Sequence, residues 1–393
     1  MAAERSADIL YKDQAVGVLY ETPRGGTRFV YNAECAEAIA CVLPLQEREH
    51  AWPTGLHPFF QHLGPEGWLR EKQARAGRLE DEDDFGLLLR YGLDCIGAVG
   101  VRGVQPASAP VGLIDAETKA AAAGKRTVSG VQKKLLVFTR DGQFLPSEAE
   151  GPATHIAKYN DLSNDTLVRN ELLTLRFAQD VLGLKQVTAF KTAFVTGVDE
   201  LALVVKRFDR AESGEKLRLE DFAQILCRPR GRDFTGKYDG SYEEIALAIR
   251  QHSVRPEIDV DQFFRRVIFC ALTGNADAHL KNFSLLETPI GLRLSPAYDL
   301  LNTLVYGGEY KSEFALSLCG ARVQTDRIDR ALVIAFGRAI GLPDRAIQLA
   351  LKEIRERIRR SRAIVPPEAE TPDGFVHRYA AIVEDACVRI LKE

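Results

Sequence analysis

No Cys-x-x-Cys pair occurs in this chain. Its seven cysteines, Cys35, Cys41, Cys95, Cys227, Cys270, Cys319 and Cys387, are scattered, and several lie in apolar runs where they read as small core residues. That speaks against a zinc site and for a reducing compartment. No apolar run approaches the roughly 18 residues of a membrane span. The opening Met-Ala-Ala-Glu-Arg-Ser-Ala-Asp lacks a signal-peptide core, so the expected location is the cytoplasm. Charge is nearly balanced: a net charge of −3 gives no pull toward nucleic acid or an anionic membrane. Internal repeats are absent. What remains is an ordinary globular composition, 46% hydrophobic and 27% charged, in 393 residues, too long for one typical core.

Along the chain, residues 7–32 alternate apolar and polar, with Gly25-Gly26 as a turn signal, and predict a small antiparallel sheet. Helical patterns follow to about residue 92; the acidic run 81–84 before Phe85 reads as a helix start favoured by the dipole rather than as a metal site. Residues 101–125, rich in Ala, Pro and Gly, read as a linker. Strands are predicted over 131–138 and 153–159, separated by Asp141-Gly142, then a helix over 165–182, then strands over 187–195 and 201–208. From about residue 220 the pattern is helical. The helix over 260–272 carries Phe263, Phe264, Val267, Ile268 and Ala271 at core spacing and delivers the chain to Gly274. A last pair of helices is punctuated by Gly341-Leu-Pro343 and stopped by Pro366-Pro367. Its run of Lys352, Arg355, Arg357, Arg359, Arg360 and Arg362, interleaved with Glu353 and Glu356, reads as a solvated face, with a contact to DNA in a larger complex as the alternative.

The chemistry concentrates in 274–286 and 296–300. Asn282 follows Asp277 by five residues, and Asp299 comes a hairpin's length later. Phosphoryl transfer from magnesium-ATP needs such a set: a carboxylate that receives the acceptor hydroxyl, plus an Asn and an Asp for the metal. The five-residue step is that of the protein-kinase catalytic loop. Residues 283–286 and 292–294 read as two short strands around a turn, which would return Asp299 beside Asn282. Alone, Asp277 would read as a loop carboxylate capping a turn; the triple spacing favours chemistry. His279 and Lys281 either steady this loop, touch phosphate or are structural.

Elsewhere Lys158, on the strand Thr154-His-Ile-Ala-Lys158, suits nucleotide phosphates or simply faces solvent. Glu171, beside the apolar stripe of Val168 and Leu175, is its candidate ion-pair partner or an exposed helix residue. If 201–209 ends the strand-rich lobe, backbone groups around Lys206 to Phe208, with Asp209 next, would face adenine. The basic segment 124–134, with Val128, Ser129 and Gly130, would cradle phosphate through its N–H groups, although it is neither Gly-x-Gly-x-x-Gly nor a Walker A. Thr127 and Ser129 make it a candidate phosphoacceptor, and a polar surface turn is the plain alternative.

These residues resemble the HipA family of serine/threonine kinase toxins. The matching segments are Val128-Ser-Gly-Val-Gln-Lys-Lys134, Thr154 to Lys158, Asn170-Glu171, Val205-Lys-Arg-Phe-Asp-Arg210, the block from Gly274 to Leu286, and Pro296-Ala-Tyr-Asp299, in the family's order. Leu43-Pro-Leu, Leu63-Gly-Pro-Glu and Cys95-Ile-Gly-Ala-Val99 extend the resemblance over nearly the whole chain. The resemblance implies an α+β, two-lobed, protein-kinase-like fold: an N-terminal subdomain over 1–105, a kinase N-lobe over 106–215 and a mostly helical C-lobe over 216–393. It implies ATP and Mg²⁺ as cofactors, Asp277 as the catalytic carboxylate, Asn282 and Asp299 as metal ligands, and Lys158 as the ATP lysine. It further implies autophosphorylation of the phosphate loop, where the family's Ser is replaced by Thr127 with Ser129 two residues on. A protein substrate such as an aminoacyl-tRNA synthetase, and a HipB-like helix-turn-helix antitoxin that would bring DNA only indirectly, are the implied partners. The rival readings are a small-molecule phosphotransferase and a non-catalytic nucleotide-binding partner of a DNA-binding antitoxin.

Overall fold

The computed structural model describes residues 5–80, 82–103, 132–147, 153–161, 164–309, 311–365 and 374–392. The chain forms two compact units, Met1–Asn164 with Phe190–Gly236, and Asp165–Ala189 with Lys237–Glu393.

In the first unit, strands β1 (Ser6–Tyr11), β2 (Gln14–Glu21), β3 (Thr27–Tyr31), β4 (Glu49–Trp52) and β5 (Val99–Gly103) make an antiparallel sheet in the order β4-β3-β2-β1-β5. Lys12 and Asp13, both at positive φ, form the two-residue turn that matches the strands' twist. The inward residues Ala7, Ile9, Leu19, Phe29 and Tyr31 pack with Phe59, Phe60 and Leu88. Val99–Gly103 is thus sheet, so the start of the expected linker belongs to a strand. Five further strands, β6 (Lys134–Arg140), β7 (Gln143–Pro146), β8 (His155–Lys158), β9 (Phe190–Val195) and β10 (Val198–Lys206), close a barrel in the order β10-β8-β6-β7-β9. Leu135, Val137, Phe144, Ala157, Tyr159 and Val204 fill it. Strand β7 was not anticipated; its four residues are too few to show an alternation.

The acidic run before Phe85 is a helix start, as expected. Asp83 caps the helix Asp84–Tyr91 by accepting the Gly86 N–H at 2.9 Å, and Asp84 pairs with Arg70 at 2.8 Å.

The second unit is mostly helical. The helix Leu167–Leu182 belongs here and not with the strands of the expected N-lobe. Its buried face explains this: Phe177 packs on Phe269 with ring centroids 5.4 Å apart, and Thr174 accepts from the Tyr379 hydroxyl at 2.9 Å. The helix Tyr242–His252 starts at a capping box in which Ser241 and Glu244 each bond the other's backbone N–H. The helices Pro256–Leu272, Arg330–Ala339 and Asp344–Arg360 follow. On the last of these Ile347, Ala350, Leu351 and Ile354 are buried while Lys352, Glu356, Arg357, Arg359 and Arg360 are exposed, the solvated face read from the sequence. The helices do not end there: Phe375–Leu391 forms one more, burying Phe375, Tyr379, Val383, Ala386 and Ile390. No helix among the described residues is long and apolar enough to cross a membrane.

Asp259, fully buried, ties the helix Pro256–Leu272 to the hairpin strand Gly291–Leu294. It accepts from Arg293 Nη2 at 2.7 Å and from the Leu294 N–H at 3.0 Å. Asp259→Ala strands the Arg293 charge, the Leu294 N–H and the Ser253 hydroxyl that also donates to Asp259, and is expected to lower unfolding free energy by about 3 kcal/mol. Urea denaturation checks this, and an unchanged midpoint would show the pair to be energetically idle.

Candidate active site

The site in the second unit is built on the end of the helix Pro256–Leu272. Thr273 closes the helix with its N–H on the Phe269 carbonyl at 2.9 Å. Gly274 then turns the chain with φ +65°, a conformation that favours glycine, and a Cβ there would lie 2.9 Å from Leu304 Cδ1 and oblige that side chain to shift. Thr303 pins the loop that follows: its hydroxyl donates to the Gly274 carbonyl at 3.1 Å and accepts the Ala276 N–H at 2.9 Å. From the other side the buried Tyr242 hydroxyl donates to the Ala278 carbonyl at 2.9 Å.

This frame presents Asp277, which is half-buried. Its N–H donates to Asn275 Oδ1 at 3.2 Å, and its Oδ1 accepts from the Tyr238 hydroxyl at 2.7 Å. The His279 N–H reaches the Asp277 carbonyl at 2.8 Å and the Asn282 N–H the His279 carbonyl at 3.0 Å, winding the chain through the single turn Leu280–Asn282.

Strands Ser284–Thr288 and Gly291–Leu294 then pair antiparallel, Leu285 opposite Leu294 and Thr288 opposite Gly291. The hairpin returns the chain as its spacing suggests. Asn282 Nδ2 donates to the Asp299 carbonyl at 3.3 Å, and the Tyr298 hydroxyl donates to the Lys281 carbonyl at 2.8 Å. The returning segment is also held from behind, where the Ala297 N–H donates to Gln186 at 2.7 Å and the Thr188 N–H to Ala297 at 3.0 Å. Arg266, 3% exposed, donates Nη2 to the Ser295 carbonyl. Asp299 itself sits at φ +55°, a left-handed conformation that non-glycine residues hold only when their surroundings enforce it.

Asn282 Oδ1 is buried and has no hydrogen-bond partner among the described residues. Leaving such an acceptor dry and unpaired is costly. A hard cation would satisfy it, and a second oxygen donor, the Asp299 carboxylate, belongs to the residue whose carbonyl Asn282 already holds. Amide and carboxylate oxygens are the donor set that suits Mg²⁺. No trio of His, Cys, Asp and Glu among the described residues is grouped to hold a metal, so an ion here would rely on Asn282 and Asp299 together with oxygens from a ligand.

The other residues singled out from sequence fall as follows. His279 and Lys281 are 6% and 9% exposed and sit within this loop, His279 with its ring edge-on to Tyr238 at 5.3 Å. Glu171 is buried at 1% exposure on the helix Leu167–Leu182, so the alternative of an exposed helix glutamate is set aside. The same helix is fastened to the segment after Asp299 by reciprocal amide bonds: Asn170 Nδ2 donates to the Asn302 carbonyl and the Asn302 N–H to Asn170 Oδ1, both at 2.9 Å.

Lys158, Lys206, Phe208 and Asp209 lie in the first unit. Lys158 is on barrel strand β8 between Leu203 and Lys134, 6% exposed rather than facing solvent. Lys206 forms an ion pair with Glu212. The side chain of Asp209 is held within the protein. It accepts from Arg207 Nη2 at 2.7 Å, Arg210 Nη1 at 2.9 Å and the Gly97 N–H at 2.7 Å. Burial works against its charge, but the two guanidiniums prevail and hold it down to about 2. Thr127, Val128, Ser129 and Gly130 lie outside the described residues.

Sequence reading passed over Tyr238, Thr303 and Asn302. Their only signal was position: Asn302 and Thr303 closely follow Asp299, while Tyr238 precedes the capping box at Ser241 with no motif of its own.

Comparison with known proteins meets this geometry from another direction. A family described as the HipA-like C-terminal domain matches residues 126–362, and the HipA N-terminal domain matches residues 7–102. A putative kinase of Sinorhizobium fredii, Y4dM, is 36% identical over 267 residues, which span 63% of this chain and 63% of that protein. The serine/threonine-protein kinase toxin HipA of Shewanella oneidensis is 29% identical over 290 residues, 67% of this chain and 64% of that one. The match therefore spans just under two thirds of the length of each of these two relatives. Among solved structures, that of the HipA, HipB and operator DNA complex from Shewanella oneidensis superposes with a TM-score of 0.74 over 98% of this chain and 97% of that chain, at 23% identity. That likeness establishes a shared α+β, kinase-like fold.

Proposed function

This chain belongs to the HipA-like family, and on that premise we propose that it is an ATP- and magnesium-dependent protein serine/threonine kinase of the toxin type. The observation that carries the reading is the buried Asn282 Oδ1, unpartnered among the described residues, on a side chain whose amide nitrogen is fastened to the backbone of Asp299. Asp277 receives the acceptor hydroxyl and orients it in line with the phosphoryl group. Asn282 and Asp299 would hold Mg²⁺, and bound magnesium-ATP supplies the phosphoryl group and neutralises charge as it is transferred. Lys158 is assigned to the nucleotide phosphates by its family position, and the backbone of Lys206 and Phe208 to adenine. His279 and Lys281 brace the loop. The substrate class is a cellular protein, with an aminoacyl-tRNA synthetase as the family's precedent. The same activity would act on the chain's own Thr127 or Ser129. The expected partner is a HipB-like antitoxin, through which the protein would meet DNA, and the expected compartment is the cytoplasm.

The reading is tested by adding the purified protein and γ-³²P-labelled magnesium-ATP to a cell lysate. New labelled polypeptides, absent with Asp277→Asn, are the expected result. Label appearing only in small molecules would replace it with the small-molecule phosphotransferase.

A further inference from the structure

The Tyr238 hydroxyl donates to Asp277 Oδ1 at 2.7 Å, and no other side chain bonds the Asp277 carboxylate among the described residues. We infer that Tyr238 is a positioning residue: it occupies one oxygen of Asp277, fixes the carboxylate's rotamer, and leaves Oδ2 as the oxygen that meets the acceptor hydroxyl. This rests on the reading of Asp277 given above and adds a residue to it.

A half-buried aspartate on a loop has several rotamers within reach, and only one aims a given oxygen at a reacting group. The backbone of Asp277 is already fixed through Asn275 and the neighbouring Thr303 and Tyr242 bonds. Those contacts leave the side-chain torsions free, and Tyr238 supplies the missing constraint. The tyrosine is itself held at both ends. Its carbonyl accepts from Arg322 Nη2, while Arg322 Nη1 donates to the Ala315 carbonyl. Its ring stands edge-on to His279, and Lys237 Nζ lies 5.3 Å from the ring centroid.

A hydroxyl at 2.7 Å from this carboxylate also resembles an acceptor hydroxyl, which raises the opposite role of a plug that must leave before substrate binds. The anchoring argues for the first role. Withdrawing the hydroxyl means breaking the contact with His279 or the bond from Arg322, whereas a donor that stays in place costs nothing at the moment of reaction.

The test compares wild type, Tyr238→Phe, Tyr238→Ala and Asp277→Asn by ADP formation from magnesium-ATP and by phosphate on the chain. Tyr238→Phe keeps the ring and deletes only the hydroxyl. The expected result is a kcat lower by about 10- to 100-fold, with KM for ATP and Tm at wild-type values. Wild-type kcat in Tyr238→Phe with loss in Tyr238→Ala would assign the ring alone and overturn the proposal. A raised kcat would make the hydroxyl a plug and overturn it too. So would a fall in kcat matched by a fall in Tm, which would mark the bond as part of the fold. Failure of the underlying reading looks different: wild type and Asp277→Asn would then turn over ATP equally, whatever Tyr238 does.

Discussion

Asp277→Asn is expected to lower phosphoryl transfer by about 10³-fold while leaving Tm unchanged. The substitution preserves volume and keeps an oxygen that still accepts the Tyr238 hydroxyl 2.7 Å away. The loop is held by other groups: Thr303 on Gly274 and Ala276, Tyr242 on Ala278, and Asn275 on the Asp277 N–H. What would be lost, on the proposed reading, is the negative charge that draws the acceptor proton and orients the hydroxyl. Differential scanning fluorimetry reads the fold and ADP formation reads the chemistry. Full activity in a normally folded variant would remove Asp277 from the reaction.

Asp299→Asn is expected to raise the magnesium concentration needed for half-maximal activity by about 100-fold. Residues one step removed from a metal already contribute roughly 10–100-fold to its affinity, and a direct carboxylate ligand contributes at least as much. The choice of Asn matters because Asp299 sits at φ +55°. Asn tolerates that conformation at least as well as Asp, whereas Ala would add backbone strain and confuse the result. The Asp299 carbonyl that accepts from Asn282 is unchanged by the substitution, so the comparison isolates the carboxylate. A magnesium titration of ADP formation measures it. An unshifted titration would take Asp299 out of the metal site.

The parts of this molecule legible from sequence are those where a local rule dominates. Asp277, Asn282 and Asp299 could be grouped because a hairpin of fixed length lies between the last two, and its register pairs Leu285 with Leu294 as the apolar pattern demands. The capping box at Ser241 and Glu244 is likewise a local signal. The boundary of the helical unit was not legible. Residues 167–182 lie between two strands in sequence, and only tertiary contacts such as Phe177 on Phe269 and Asn170 on Asn302 assign the helix to the other unit. The final helix was legible but overlooked: Phe375, Tyr379, Val383, Ala386 and Ile390 recur at helical spacing beyond Pro366-Pro367.

Within the site, spacing singled out Asp277, Asn282 and Asp299 and missed the residues that hold their loop. Tyr238 lies 39 residues before Asp277 and reaches it only through the fold. Asp209 is held by partners that no spacing announces. It lies in a family motif, yet its carboxylate is committed to Arg207, Arg210 and Gly97, because a charge buried that deeply must be paired.

The central claim is tested most directly by intact-mass and peptide mass spectrometry of the wild type and Asp277→Asn after incubation with magnesium-ATP. The account predicts added phosphate on Thr127 or Ser129 in the wild type and none in the variant. Equal phosphate on both proteins would contradict it, as would ADP formation by the wild type with no phosphate on any polypeptide.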